Sequence, residues 1–141
     1  MRIMLDTNII VSGLAFPGNE RELLNAIYYN SATLILSEFV ALETNVVMKR
    51  KFPGKERIFE DFLSLVQLEI AAMPPKGKID EAALIIRDQK DAVVLATAIE
   101  VMPDIFVSGD LDFHTSKITS IINVMHSKEA TALINYYKKR N

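Results

Sequence analysis

The sequence predicts an α/β sandwich built around a parallel sheet. Two observations carry that expectation. Short apolar runs at residues 2–5, 33–36, 105–107 and 121–124 are near-continuous instead of alternating, the pattern of strands covered on both faces. Between them lie segments with apolar spacing near 3.6 residues and recognisable ends, so strands alternate with helices and right-handed crossovers follow. At 141 residues the chain is most economically one domain, residues 1–141, large enough for a core and too short for two ordinary ones.

In chain order, the first run ends at Asp6, and Thr7 and Asn8 suit the turn that closes a strand and opens a helix. A helix is expected over 20–29. The run 33–36 then leads into Ser37, an N-cap type, ahead of a helix over 38–50. After Pro53-Gly54, helical spacing over 55–69 suggests a helical hairpin protruding before the next strand. Pro74-Pro75 punctuates the chain but is no domain linker, because neither side would hold a complete sheet. Helices are expected over 80–88 and 92–101, the second ended by Pro103. A polar loop, 114–120, precedes the strand 121–124, and Ser127 is placed to cap a last helix over 128–139.

Composition narrows the chemistry. There is no Cys, so neither a disulfide framework nor a thiolate zinc centre is available. His114 and His126 are the only histidines, too few for an all-imidazole metal site. No run approaches the roughly 20 apolar residues of a membrane-spanning helix, and the start lacks the regions of a signal peptide. The expected location is therefore the cytoplasm. A net charge of −2 points neither toward nor away from nucleic acid.

Several acids are oddly placed. Ligands of open parallel sheets gather at the carboxyl ends of the strands, where Asp6 and Asp110 stand, with Asp112 two residues on. Glu43 lies mid-helix, and its neighbours at helical spacing are Phe39, Val46 and Val47, an apolar stripe expected to face the core. The bland reading pairs Glu43 with Arg50. Asp91 opens a helix so apolar that most of it must be buried, and its bland reading is an N-cap; Asp88 reads as a solvated or capping acid. Two such charges at 4 Å repel by about 4 kcal/mol at an effective dielectric near 20, and no Lys or Arg set occupies equivalent inward positions. A divalent cation relieves several carboxylates together. Carboxylates without Cys and with little His suit Mg²⁺ or Mn²⁺. Such ions usually work with phosphate oxygens, acidifying an attacking water and stabilising the leaving oxygen.

The stretches LDTNIIVSG, SEFVALETNVVMKR, KDAVVLATAIE and DIFVSGDLDF, in that order and spacing, resemble the PIN domains, in particular the small single-domain toxins of bacterial and archaeal toxin–antitoxin pairs. The resemblance covers nearly the whole chain. It implies a three-layer α/β/α sandwich and Mg²⁺- or Mn²⁺-dependent endonucleolytic cleavage of single-stranded RNA. On this chain it implies an acidic set of Asp6, Glu43, Asp91 and Asp110, with Asp112 accessory and Thr7, Asn8 and Ser108 orienting carboxylates or water by hydrogen bonds. It further implies an antitoxin partner and a homodimer. Close relatives often carry one more acid where this chain has Lys90.

Basic residues at the end of the Glu43 helix, Lys49, Arg50 and Lys51, with Lys55 and Arg57 behind, could track an RNA backbone or simply complement the helix dipole. Lys138, Lys139 and Arg140 read as a solvated tail, and Tyr28, Tyr29, Tyr136 and Tyr137 as partly buried. Two other classes compete: a Mg²⁺-binding receiver-like signalling module, disfavoured by an acid inside a helix, and a non-catalytic PIN fold serving as an RNA-binding or scaffold subunit. A haloacid-dehalogenase-like phosphatase would want Asp where Asn8 stands.

Overall fold

Five parallel strands form the centre of the computed structural model, which describes residues 1–140, with side chains through Lys138. The strands are β1 (Arg2–Leu5), β2 (Thr33–Ser37), β3 (Gln67–Ala71), β4 (Ile105–Val107) and β5 (Val124–Met125). They lie in the order β3-β2-β1-β4-β5, and every pairing is parallel. Around them run α1 (Thr7–Ala15), α2 (Asn19–Tyr29), α3 (Glu38–Lys51), α4 (Arg57–Leu65), α5 (Lys76–Ala82), α6 (Gln89–Val101), α7 (Ser116–Thr119) and α8 (Ser127–Arg140). Helices flank the sheet as the outer layers of a three-layer α/β/α sandwich, with α1 packed on α2, α2 on α8 and α5 on α6.

The central strands are apolar because both their faces are covered. Ile3, Met4, Leu5, Leu34, Ile35, Leu36, Ile105, Phe106 and Val107 are all buried, at roughly 1.5–3 kcal/mol of burial free energy for each large side chain. The chain runs outward from β1 to β2 and β3, then crosses to the other side of β1 for β4 and β5. That reversal opens a crevice at the carboxyl ends of β1 and β4. Receiver-type sheets run 2-1-3-4-5, so the observed order removes the receiver-like reading.

Several elements differ from expectation. The segment expected as one helix over 55–69 is a helix followed by an edge strand, so the protruding hairpin does not exist. β3 exposes Leu68 and Ile70, giving it no buried-strand signature, and Arg2 of β1 holds Glu69 of β3 at 2.5 Å across β2. The helix expected over 80–88 is displaced: it runs Lys76–Ala82 behind Pro75, where proline's fixed φ suits a helix start, and residues 83–88 are turn and irregular backbone. Ile121 and Ile122 belong to the turn after α7, whose Ile118 and Ile122 are buried, and the last strand is only Val124–Met125. α8 starts one residue sooner than expected: the His126 carbonyl accepts from Ala130 N–H at 3.0 Å, while the Ser127 hydroxyl caps nothing and is buried without a partner. Ser37 does cap α3, accepting from Val40 N–H at 2.9 Å. Tyr28, Tyr29, Tyr136 and Tyr137 are exposed instead of partly buried. Lys138 is exposed, and the expectation for the Lys139 and Arg140 side chains lies outside the described residues. No described helix is long and apolar enough to cross a membrane.

Candidate active site

Asp6 and Ser108 each follow a strand at paired positions, because Leu5 is in register with Val107. The Asp6 N–H continues the ladder to the Val107 carbonyl at 3.1 Å. Asp6 sits at the N-cap position of α1, yet its side chain makes no capping bond. Its Oδ2 instead accepts from the Ser108 hydroxyl at 2.8 Å. The fully buried Ser108 oxygen also accepts from the Asp110 N–H at 3.0 Å, so one hydroxyl ties the two strand-end acids together. Asp110 Oδ1 in turn accepts from the Asp112 N–H at 2.9 Å, shaping the 3₁₀ turn 111–113.

Asp91 is not the cap of its helix. Asp88 is, accepting from the Lys90 and Asp91 N–H groups at 2.9 and 3.1 Å, which leaves the Asp91 carboxylate in the first turn of α6 and free to face the crevice. Ligand-type oxygens of Asp91, Asp110 and Asp112 all lie within 4.8 Å of one another. Burial, then the charges of Asp110, Asp88, Asp6 and Asp112, push the Asp91 carboxyl up to about 7. Asp6 is raised as well, by burial first and by Glu43 and Asp110, against the Ser108 hydroxyl and the Thr7 N–H. These acids sit in one another's fields before any cation arrives.

Glu43 reaches the same crevice by a route that differs from expectation. The buried face of α3 is Val40, Thr44 and Met48, while Phe39, Glu43, Val46 and Val47 line a cavity of about 330 Å³ with Asp6, Asp91 and Asp110. The stripe is apolar because it walls the site, and Val46 is 61 % exposed. Thr7 donates its hydroxyl to Glu43 Oε1 at 2.5 Å. The bland alternative, an ion pair with Arg50, is not formed; the cation beside Glu43 is Lys90, with Nζ 3.8 Å from Oε2. Arg87 lies 3.5 Å from Asp112. Neither cation occupies an inward position: both approach the acids from exposed side chains, Lys90 on α6 and Arg87 just before it.

Arg50 and Lys51 line the cavity, as do Asn8 and Lys90, but Lys49 does not. A second cavity of about 580 Å³ shares Asp6, Asn8 and Asp110 and extends along Ser12, Asn19 and Glu20 to His126 and Lys128. Sequence reasoning missed this arm. It also missed the stack of His114 on His126, with centroids 4.0 Å apart and planes 4° from parallel; His114 Nε2–H donates to the Ser108 carbonyl at 2.7 Å, bracing the strand-end loop. Nothing in the spacing of two isolated histidines signals that contact.

A family model for the PIN domain matches residues 2–112. The chain belongs to the PIN domain family. Solved structures agree in fold. A chain of VapBC2 from Rickettsia felis, in a crystal structure bound to a DNA fragment from their promoter, is 21 % identical with a TM-score of 0.67, over 89 % of this chain and 98 % of that one. A chain of FitAcB from Neisseria gonorrhoeae is 18 % identical with a TM-score of 0.64, over 89 % and 97 %. No curated protein matches the sequence at a significant level. In this PIN domain the matched span runs from β1 into the 3₁₀ turn and contains Asp6, Glu43, Asp91, Asp110 and Asp112.

Proposed function

We propose that this PIN domain is a divalent-metal-dependent endoribonuclease that hydrolyses phosphodiester bonds of single-stranded RNA, as the toxin of a toxin–antitoxin pair. The observation that carries the reading is the convergence of Asp91, Asp110 and Asp112 oxygens at the strand ends, with Asp6 and Glu43 lining the adjoining crevice. The donor set is all hard oxygen, which fits Mg²⁺ or Mn²⁺ and not structural zinc. When bound, such an ion supplies Lewis acidity to an attacking water and to phosphate oxygens.

The chain's own residues divide the work. Asp91, Asp110 and Asp112 hold the ion, with Asp6 beside them fixed by Ser108. Glu43, oriented by Thr7, accepts a proton from the water. Arg50 and Lys51 meet the RNA backbone at one mouth of the crevice, and Asn8 stands where the two cavities join. Similarity in fold to the VapBC2 and FitAcB structures supports an antitoxin as partner. Exposed apolar side chains at Leu65, Leu68 and Ile70 supply surface for an antitoxin or a second copy of the chain. The proposed location is the cytoplasm, where RNA is available.

The test is cleavage of a labelled single-stranded RNA with Mg²⁺ or Mn²⁺. Activity should disappear with EDTA and fall at least about 100-fold in Asp6→Asn and Asp110→Asn, in line with losses when metal-site partners are removed. Cleavage that survives both EDTA and the substitutions would overturn the reading.

A further inference from the structure

We propose that Lys90 is a built-in cation that takes the place of a second metal ion, making this a one-ion centre; the inference rests on the metal-dependent reading above and specifies how that site is filled. The acids divide into two groups. Asp91, Asp110 and Asp112 bring oxygens within 4.8 Å of one another. Glu43 is outside that group, and it already has two partners: the Thr7 hydroxyl on Oε1 and the Lys90 ammonium 3.8 Å from Oε2. Two-ion phosphodiester centres keep their metals about 3.5–4 Å apart, so a second ion shared by Asp6 and Glu43 would have to displace the ammonium from Glu43.

Charge leads to the same conclusion. Asp6, Glu43, Asp88, Asp91 and Asp110 line the crevice and Asp112 joins them beside Asp91 and Asp110, six carboxylates in all. Lys90, Arg50 and Lys51 line the same crevice and Arg87 pairs with Asp112, so four cations from within the chain leave two negative charges. One divalent ion then neutralises the centre, whereas a second would drive it positive. The position of Lys90 is set by backbone, because Asp88 caps the helix through the Lys90 N–H and so fixes where the side chain departs. Its side chain is 74 % exposed, so it is held by the acid's charge and not by packing, and it can be exchanged without disturbing the core. Lys90 is thus a positioning residue that keeps Glu43 out of metal ligation and available to water.

The experiment counts bound Mn²⁺ per chain by equilibrium dialysis with metal analysis, and reads electron paramagnetic resonance at saturation, for the full chain and for Lys90→Glu. Circular dichroism confirms that both are folded. The expected result is one ion per chain with an uncoupled six-line signal, and two ions with a spin-coupled signal in Lys90→Glu. Two ions in the unaltered chain overturn the inference, as does a single ion in Lys90→Glu. No bound ion in the unaltered chain overturns both this inference and the proposed function. One ion without RNA cleavage overturns the proposed function alone.

Discussion

At the scale of single residues, Asp91 couples protons to cations. With its carboxyl pushed up to about 7, the folded, ion-free chain holds a proton that the unfolded chain releases near pH 4. Stability from that proton is complete below the unfolded value and is lost as pH rises through the folded one. The melting temperature in EDTA should therefore fall between about pH 4 and pH 7, and fall less in Asp91→Asn; a rise in the unaltered chain over that window contradicts the assignment. The same proton must leave when an ion binds, so Mn²⁺ affinity should climb by up to about tenfold per pH unit below 7 and flatten above it. Calorimetric titration at several pH values checks this, and a flat profile counts against Asp91 as a ligand. Asp6 was legible as a strand-end acid, but only the structure shows that its side chain makes no capping bond and instead accepts from Ser108.

The elements place these residues through close packing. Gly13 shows how tightly α1 lies on α2: a Cβ there would meet Leu24 Cδ1 at 2.6 Å and the Glu20 carbonyl oxygen at 3.0 Å. Gly→Ala inside a helix ordinarily stabilises by about 0.5–1 kcal/mol, whereas overpacking costs roughly 1–3 kcal/mol. Because backbone is one of the contacts, net destabilisation is expected for Gly13→Ala by urea unfolding, and a gain in stability would show that α2 can move away. Buried strands were legible because burial on both faces leaves a continuous apolar run. β3 was not, since an edge strand with Leu68 and Ile70 outward carries no such run and Gln67 and Glu69 fit helical spacing equally well. Glu43 was found by a wrong premise: its apolar neighbours wall the crevice, and the core face of α3 is Val40, Thr44 and Met48. A wall lined by valines and a core look alike in sequence.

Across the whole molecule, a net charge of −2 conceals a concentration of acid at one end of the sheet. That field draws divalent cations and repels an RNA backbone until they arrive, so RNA binding is expected to depend on the cation before it depends on sequence. The other end is closed by Arg2, which joins Glu69, the Val101 and Met102 carbonyls and, through its N–H, Asp104, and so locks the edge strand and the end of α6 to the centre. Four segments far apart in sequence reach one crevice because the strand order reverses at β1; their order in the chain was readable, while the ion pairs of Lys90 and Arg87 depend on side-chain reach and were not. The central claim is that Asp91, Asp110 and Asp112 together hold a divalent cation. Anomalous diffraction from crystals soaked in Mn²⁺ tests it most directly. The account predicts one strong peak within about 2.0–2.6 Å of oxygens from these three carboxylates, absent in Asp110→Asn. A saturated crystal with no peak there, or with its strongest peak elsewhere on the protein, would contradict it.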